Sequence, residues 1–389
     1  MTKNSLVQRL VLATAILSTL ALTACSGGVG GDQNGPNDEG PIRIGMLAPL
    51  TGSESVYGTY LRNGAEMAVE EINAQGGLLG RPVELVVEDD GCDAQMATAG
   101  ATKLVSAGIH LAVGGYCSGS TLPTEQIFYS NGIPQVITAA NGSQLIEAGL
   151  DSVFLVNGLA TQQAQSAVKF AQKQGAQAIF TVDDGDAYPK GLTDAFAEYG
   201  QPAGLNIVAH EQINKAEKDF GSVATAIVGS GADFVFCTAY VQPCALLNQQ
   251  AKQYGFSGDF LIGDGAVDAQ FADLTGAAYV ERVYGTFTQT PDMLVGAEQW
   301  LASYQAKFGA EPGPYTTQAY DGVRVMAEGV RLAGSTDRQA VADAIHGLRG
   351  FDLFSGPATF TDQGVLADSS FVIVVLKDGK FVLFDDLKS

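Results

Sequence analysis

Three short stretches hold residues suited to gripping a small polar ligand. The first is Gly114-Gly115-Tyr116-Cys117-Ser118-Gly119-Ser120-Thr121. Small residues, hydroxyls and free backbone N–H groups at a helix start suit an anion such as a carboxylate. The second is Thr138-Ala139-Ala140-Asn141-Gly142, again small and polar. The third is Gly263-Asp264-Gly265, an acid between glycines, placed to meet an ammonium, with Ala239-Tyr240 in a similar turn upstream. Anion donors on one side and an acid on the other make a zwitterion site. Each piece alone has a plain structural reading: Ser and Gly before a helix are ordinary capping, and Gly-Asp-Gly is ordinary loop chemistry.

Catalysis and metal binding are weaker readings. Gly115-Tyr116-Cys117-Ser118-Gly119 has the spacing of a nucleophile elbow. A cysteine hydrolase would need an acid and a histidine downstream, and only His210 and His346 are candidates, one after a strand of the other half and one on a surface helix. His110, His210 and His346 are scattered, so a histidine zinc site is not expected. His110, ahead of an apolar strand, is read as structural. Asp183-Asp184-Gly185-Asp186 lacks the long loop and terminal glutamate of a calcium hand and reads as a solvated turn. Trp300, at helical spacing with Tyr304 and Phe308, reads as packing. No cofactor is expected.

The elements that must position these turns alternate between strand and helix. Ile42 to Leu47 is a short apolar strand, and Leu61, Ala65, Ala68 and Ile72 follow on one helical face until Gly76-Gly77 stops it. Val83 to Val87, Leu111 to Val113 and Ile133 to Thr138 are further strands, with a helix over Met96 to Val105. The pattern restarts after about residue 160. Helices Thr161–Lys173, Leu192–Tyr199, Val223–Val228 and Cys244–Tyr254 lead to strands Ala178–Val182, Asn206–Ala209, Phe234–Phe236 and Phe260–Ile262. Such alternation predicts α/β architecture, with parallel sheets covered on both faces, in two doubly wound lobes. Ligands of open α/β sheets collect at the carboxyl ends of strands, where all three stretches fall.

The amino terminus reads as an address. Lys3 and Arg9 precede an apolar run from Leu10 to Leu22, too short for a membrane span. It ends in Leu22-Thr23-Ala24-Cys25, which resembles the bacterial lipobox, where cleavage leaves a lipid-modified cysteine. Residues 1–24 are thus expected to be a lipoprotein signal peptide, Cys25 the lipidation site, and 25–40 a flexible tether. The expected location is extracytoplasmic, anchored to the cell membrane through that lipid alone, where disulfides persist. With 42 acidic residues against 21 basic ones, the surface repels phosphate backbones, so no nucleic-acid partner is expected.

The ordered pattern resembles the type I periplasmic binding proteins, and among them the leucine/isoleucine/valine-binding proteins of ABC importers. The resemblance rests on Ile44-Gly45 through Pro49-Leu50-Thr51-Gly52, Tyr57-Gly58, Gly64 to Gly77, Glu88-Asp89-Asp90-Gly91-Cys92-Asp93, Gly114 to Thr121 and Gly263-Asp264-Gly265. It runs from about residue 41 to the carboxyl terminus and is strongest over its first hundred residues. It implies a two-lobed clamp joined by three crossover strands, near Val156-Asn157-Gly158, Gly285-Thr286-Phe287 and Gly356-Pro357-Ala358. Lobe 1 would hold 41–157 and 287–355, and lobe 2 158–286 and 356–389.

The resemblance also implies roles. The ligand carboxylate would be held by Ser118 with its neighbouring amides and by Asn141, and Ala139 would offer its backbone to the amine. Tyr240 and Asp264 would receive the ammonium, and Tyr57, Tyr188 and Tyr315 would line the cleft. Asn141 stands where threonine is usual, though its amide can donate to a carboxylate. Asp264 stands where glutamate is best known, one methylene shorter. The family has a disulfide at the positions of Cys92 and Cys117. These are read as following adjacent parallel strands, within reach of the roughly 4.4–6.8 Å that a bridge spans between Cα atoms. Cys237 and Cys244, flanking Tyr240, are open between a bridge and two buried thiols.

The implied function is non-enzymatic capture of an amino acid by a monomer for the permease and ATPase of an ABC importer. Leucine, isoleucine and valine lead, with other apolar amino acids, amides, urea and aromatic acids served by relatives of the same fold. A sensor domain is the other class. No membrane helix or signalling domain is expected beyond residue 389, which favours tethered capture.

Overall fold

The structure is a computed structural model that describes residues 40–288, 294, 296–367 and 371–387. The expected signal peptide, the lipid site Cys25 and the tether up to residue 39 lie outside the described residues. No described helix is long and apolar enough to cross a membrane.

The first half builds β1 (Ile42–Ala48), α1 (Ser55–Ala74), β2 (Val83–Asp89), α2 (Ala94–Ser106), β3 (Leu111–Gly114), α3 (Ser118–Ser130), β4 (Gln135–Ile137) and β5 (Val153–Leu155). Their sheet runs β2-β1-β3-β4-β5, parallel throughout. The expected apolar stripe of α1 faces the core through Leu61, Ala65 and Ala68. Asp93 caps α2 by accepting from the Gln95 and Met96 amides, each at 2.9 Å.

The pattern then restarts as α4 (Ala160–Gln174), β6 (Ile179–Asp183), α5 (Ala187–Gly200), β7 (Ile207–Gln212), α6 (Gly221–Gly229), β8 (Phe234–Cys237), α7 (Val241–Gln253), β9 (Asp259–Ile262), α8 (Gln270–Thr275) and β10 (Val283–Phe287). The tail adds α9 (Glu298–Phe308), α10 (Thr316–Ala333), α11 (Arg338–His346), β11 (Arg349–Leu353), β12 (Gly356–Thr359), β13 (Val372–Lys377) and β14 (Lys380–Asp385). The second sheet runs β14-β13-β10-β9-β8-β6-β7. β8 and β9 are buried at every position, as strands covered on both faces must be.

Four expectations need correction. The second sheet is not wholly parallel, because β13 and β14 join it antiparallel as a hairpin at one edge. Cys92 and Cys117 do not follow adjacent strands: β1 lies between β2 and β3. Near Gly356-Pro357-Ala358 the chain forms the β11–β12 hairpin, and Val365 still bridges Leu155 of the first sheet. The chain enters the second sheet only at Val372. Helices α5 and α7 begin at Ala187 and Val241, five and three residues before their expected starts, because Pro189 and Pro243 are tolerated in a first helical turn.

The tail helices return to the first sheet. α10 packs on α1, β3 and β4. Gly64 makes that approach possible, since a Cβ there would sit 2.0 Å from the Thr316 carbonyl oxygen. Asn63 donates from Nδ2 to the Tyr304 hydroxyl at 3.0 Å, tying α9 to α1. Trp300, Tyr304 and Phe308 pack as expected, with ring centroids 5.7 and 4.7 Å apart along the series.

Candidate functional site

The loops at the carboxyl ends of β1, β3, β4, β6, β8 and β9 converge between the two sheets. They and the helix starts that follow them carry Tyr57, Ser118, Ala139, Asn141, Tyr188, Tyr240 and Asp264, and Tyr315 joins them from the start of α10. All eight side chains are buried. Gly114 and Gly115, at φ 106° and 90°, make the turn that presents Tyr116, Cys117 and Ser118. A side chain at Gly114 would lie 2.4 Å from the Leu47 carbonyl oxygen. Tyr315 itself holds φ 64°, a strained value for a tyrosine and of a kind found at ligand clamps.

Asp264 is the hub, with 2% of its surface exposed. Its Oδ2 accepts from Asn141 Nδ2 at 3.2 Å and Asn157 Nδ2 at 3.3 Å, and its Oδ1 from Gln163 Nε2 at 3.2 Å. The Tyr188 and Tyr315 hydroxyls also face it. Burial nevertheless pushes its carboxyl above the usual range, against the pull of those donors. Among the described residues, no ion pair involves Asp264. Its partners are amides and phenols, none of them a cation.

The remaining expected residues surround this hub. Ser118 opens α3, and its Oγ accepts from the Gly142 amide at 3.0 Å, which leaves the hydroxyl proton free to donate. Ala139 presents its carbonyl to Asn157 Nδ2 at 2.7 Å. Tyr57 stacks on Tyr116 with centroids 4.5 Å apart. Tyr240 lies 6.0 Å from Tyr188 and 5.8 Å from Tyr116, and Tyr315 lies 5.7 Å from Tyr116.

Sequence reasoning misses Asn157, Gln163 and Glu54 as site residues, and names Tyr116 only as part of a turn. Asn157 reads as a crossing point and Gln163 as one of several glutamines on a helix. The Gln163 Nε2 also donates to Thr286 at 2.8 Å, a partner 123 residues away that no local pattern reveals. Glu54 has a signal: it follows the carboxyl end of β1, where the strand-end rule applies.

Two disulfides hold the turns. Cys92 and Cys117 are bonded with Cα atoms 5.4 Å apart, their loops meeting over the end of β1. Cys237 and Cys244 are also bonded, which closes the open alternative and brackets Tyr240. A bonded Cys117 supplies no thiolate. His210 is paired within the second sheet, 3.1 Å from Thr181 Oγ1 and 3.4 Å from Asp183. His346 meets the Asp151 carbonyl. The acidic turn is not the solvated one expected: Asp183 is buried and accepts from the Gly185 amide at 2.7 Å, and Asp184 accepts from the Asp186 amide at 3.0 Å while its Oδ2 is buried without a partner. Among the described residues, no cluster of side chains is fit to hold a metal.

The sequence pattern of the family described as "Periplasmic binding protein" matches residues 41–380. The chain belongs to the periplasmic binding proteins. It is 32% identical over 347 residues to a Leu/Ile/Val-binding protein of Rhizobium johnstonii, covering 88% of this chain and 93% of that one. It is 29% identical to a leucine-, isoleucine-, valine-, threonine- and alanine-binding protein of Pseudomonas aeruginosa, covering 85% and 89%. In structure it is similar to a leucine-binding protein from Thermotoga maritima, with TM-score 0.82, 26% identity and coverage of 88% and 97%. It is also similar to a branched-chain amino acid transporter binding protein from Streptococcus pneumoniae in complex with isoleucine, with TM-score 0.80, 25% identity and coverage of 88% and 97%. This periplasmic binding protein has the type I fold, and its relatives are solute-binding proteins of ABC transporters, not enzymes.

Proposed function

We propose that this protein captures an amino acid between two lobes and delivers it to an ABC importer. The single observation that supports this most is Asp264: a buried carboxyl, ringed by neutral donors from both sheets, with no basic side chain among the described residues to balance it. An ammonium would supply that balance. The Asn141 amide, expected at the carboxylate end, donates to this acid instead. On the opposite side, the Ser118 hydroxyl and the start of the thirteen-residue helix α3 suit the carboxylate.

Each sheet with its helices would form one lobe. We draw lobe 1 as residues 41–157 with 287–367 and lobe 2 as 158–286 with 371 onward, because Val365 bridges Leu155 before the chain enters the second sheet. Closure would bring Tyr188, Tyr240 and Asp264 of lobe 2 against Tyr57, Ser118, Ala139, Asn141 and Tyr315 of lobe 1. The ligand stabilises the closed form only through contacts that closure creates.

Leucine, isoleucine and valine lead as ligands, since relatives sharing about a third of the sequence are named for them. The ring of tyrosines favours a second reading, an aromatic acid. Asp264 opposes it, because a purely anionic ligand would leave that buried carboxyl without a cation. The family sits outside the cytoplasmic membrane, and we propose attachment through a lipid on Cys25, action as a monomer, and a permease and ATPase as partners.

A thermal-shift screen of the twenty amino acids, amides, urea and aromatic acids tests the reading. An amino acid held at a hundred times its dissociation constant adds about 2.7 kcal/mol. Stabilisation by aromatic acids or amides alone would refute it.

A further inference from the structure

We propose that Glu54 positions the closed clamp through Tyr116. In its protonated form it donates to the Tyr116 hydroxyl, which donates in turn to the Gly265 carbonyl, so capture strengthens as the medium turns more acid. This rests on reading the two sheets as closing lobes.

Tyr116 stands in the turn after β3, and Gly265 beside Asp264 in the turn after β9. The Tyr116 hydroxyl lies 3.1 Å from the Gly265 carbonyl oxygen and 3.5 Å from Glu54 Oε2. A phenol has one proton to give. An ionised Glu54 competes for that proton by accepting it at Oε2, and so draws it away from the Gly265 carbonyl. A protonated Glu54 donates to the phenol oxygen instead, and both protons are used. The ring cannot turn away easily, being stacked on Tyr57 and within 6 Å of Tyr240 and Tyr315.

Glu54 is 5% exposed. The groups facing it are Ser53 of its own loop, Tyr57 of α1, Tyr116, and from the second-sheet side Tyr240, Asp184 and Lys215. Lys215 is itself paired with Asp186. Burial outweighs the help of Ser53, Tyr116 and Lys215 and lifts the Glu54 carboxyl from 4.5 to about 7. If the sheets part as lobes, opening the cleft would expose Glu54 to water and lower its carboxyl toward the ordinary range. The closed form therefore holds the proton more tightly, and closure gains as pH falls through about 7.

The test is calorimetry with L-leucine on the whole protein at pH 5.5, 7 and 8.5, for wild type, Glu54→Gln and Tyr116→Phe. Wild type is expected to bind on the order of tenfold more tightly at pH 5.5 than at 8.5, and to take up protons on binding at pH 7. Glu54→Gln, whose amide donates at every pH, is expected to keep the tight affinity at pH 8.5 and take up fewer protons. Tyr116→Phe is expected to bind weakly throughout. Asp264 and Asp184 titrate in all three proteins, so the readout is the difference from wild type. The same profile in wild type and Glu54→Gln overturns the proposal. If L-leucine binds at no pH, the ligand reading fails instead. Small-angle scattering of the ligand-free proteins then decides the latch: wild type more compact at pH 5.5 than at 8.5 with Glu54→Gln compact at both supports it, and any other pattern overturns it.

Discussion

Replacing Asp264 with alanine probes the site at its hub. The substitution removes the one acid facing the proposed position of the ligand's amine and strips an acceptor from Asn141, Asn157 and Gln163 together. Those amides can turn to water when the cleft is open, so the cost falls on closure. A buried ammonium left without its counter-charge costs roughly 2–5 kcal/mol, which is about thirtyfold to several-thousandfold in affinity. The loss belongs in the dissociation rate, because the contact forms after lobe 1 has engaged the ligand. Titration calorimetry with L-leucine gives the affinity, and stopped-flow tyrosine fluorescence gives the rates. Circular dichroism establishes that the variant is folded. An affinity within twofold of wild type in a folded variant would refute the reasoning.

Other consequences are open to measurement. Ser118→Ala is expected to cost less, roughly 1–2 kcal/mol of ligand binding by calorimetry, since backbone amides share the carboxylate. Complete loss of binding in a folded protein would show otherwise. Gly263→Ala would place a Cβ 2.3 Å from the Tyr188 hydroxyl and 3.1 Å from a Leu192 methyl. It should move Tyr188 off Asp264 and weaken binding by about 1–3 kcal/mol while the protein stays folded. Glu125 on α3 is buried, its Oε1 lacks a partner, and burial raises its carboxyl to about 8. The folded state thus binds that proton more tightly than the unfolded chain, and stability declines as pH rises from 4.5 to about 8. Glu125→Gln is expected to gain roughly 2 kcal/mol at pH 8.5 and little at pH 5, read from denaturant melts. An equal gain at both values would contradict that assignment.

Much of this architecture is legible in the chain. The α1 stripe at Leu61, Ala65 and Ala68, the Gly76-Gly77 stop that follows it and the apolar strands each carry a local signal. The rule that ligands gather at strand ends picks out Ser118, Asn141 and Asp264 without any distance. Partners set by tertiary packing are hidden. Gln163 looks like any polar helix residue until Asp264 and Thr286 arrive from more than a hundred positions away. The strand order β2-β1-β3 is equally silent, because a crossover leaves no mark in composition, and the two bridging cysteines look like nearer neighbours than they are. The late return of residues 356–366 to the first sheet depends on one bridge between Val365 and Leu155, too short a pairing to show as a pattern.

A crystal structure of the protein soaked with the strongest hit of the amino-acid screen would put the claim to its most direct trial. The account predicts closed lobes, the ligand amine within hydrogen-bond distance of Asp264 Oδ1 or Oδ2, and the carboxylate against Ser118. A ligand lying the other way round, or one that carries no amine and leaves Asp264 facing Asn141, would contradict it.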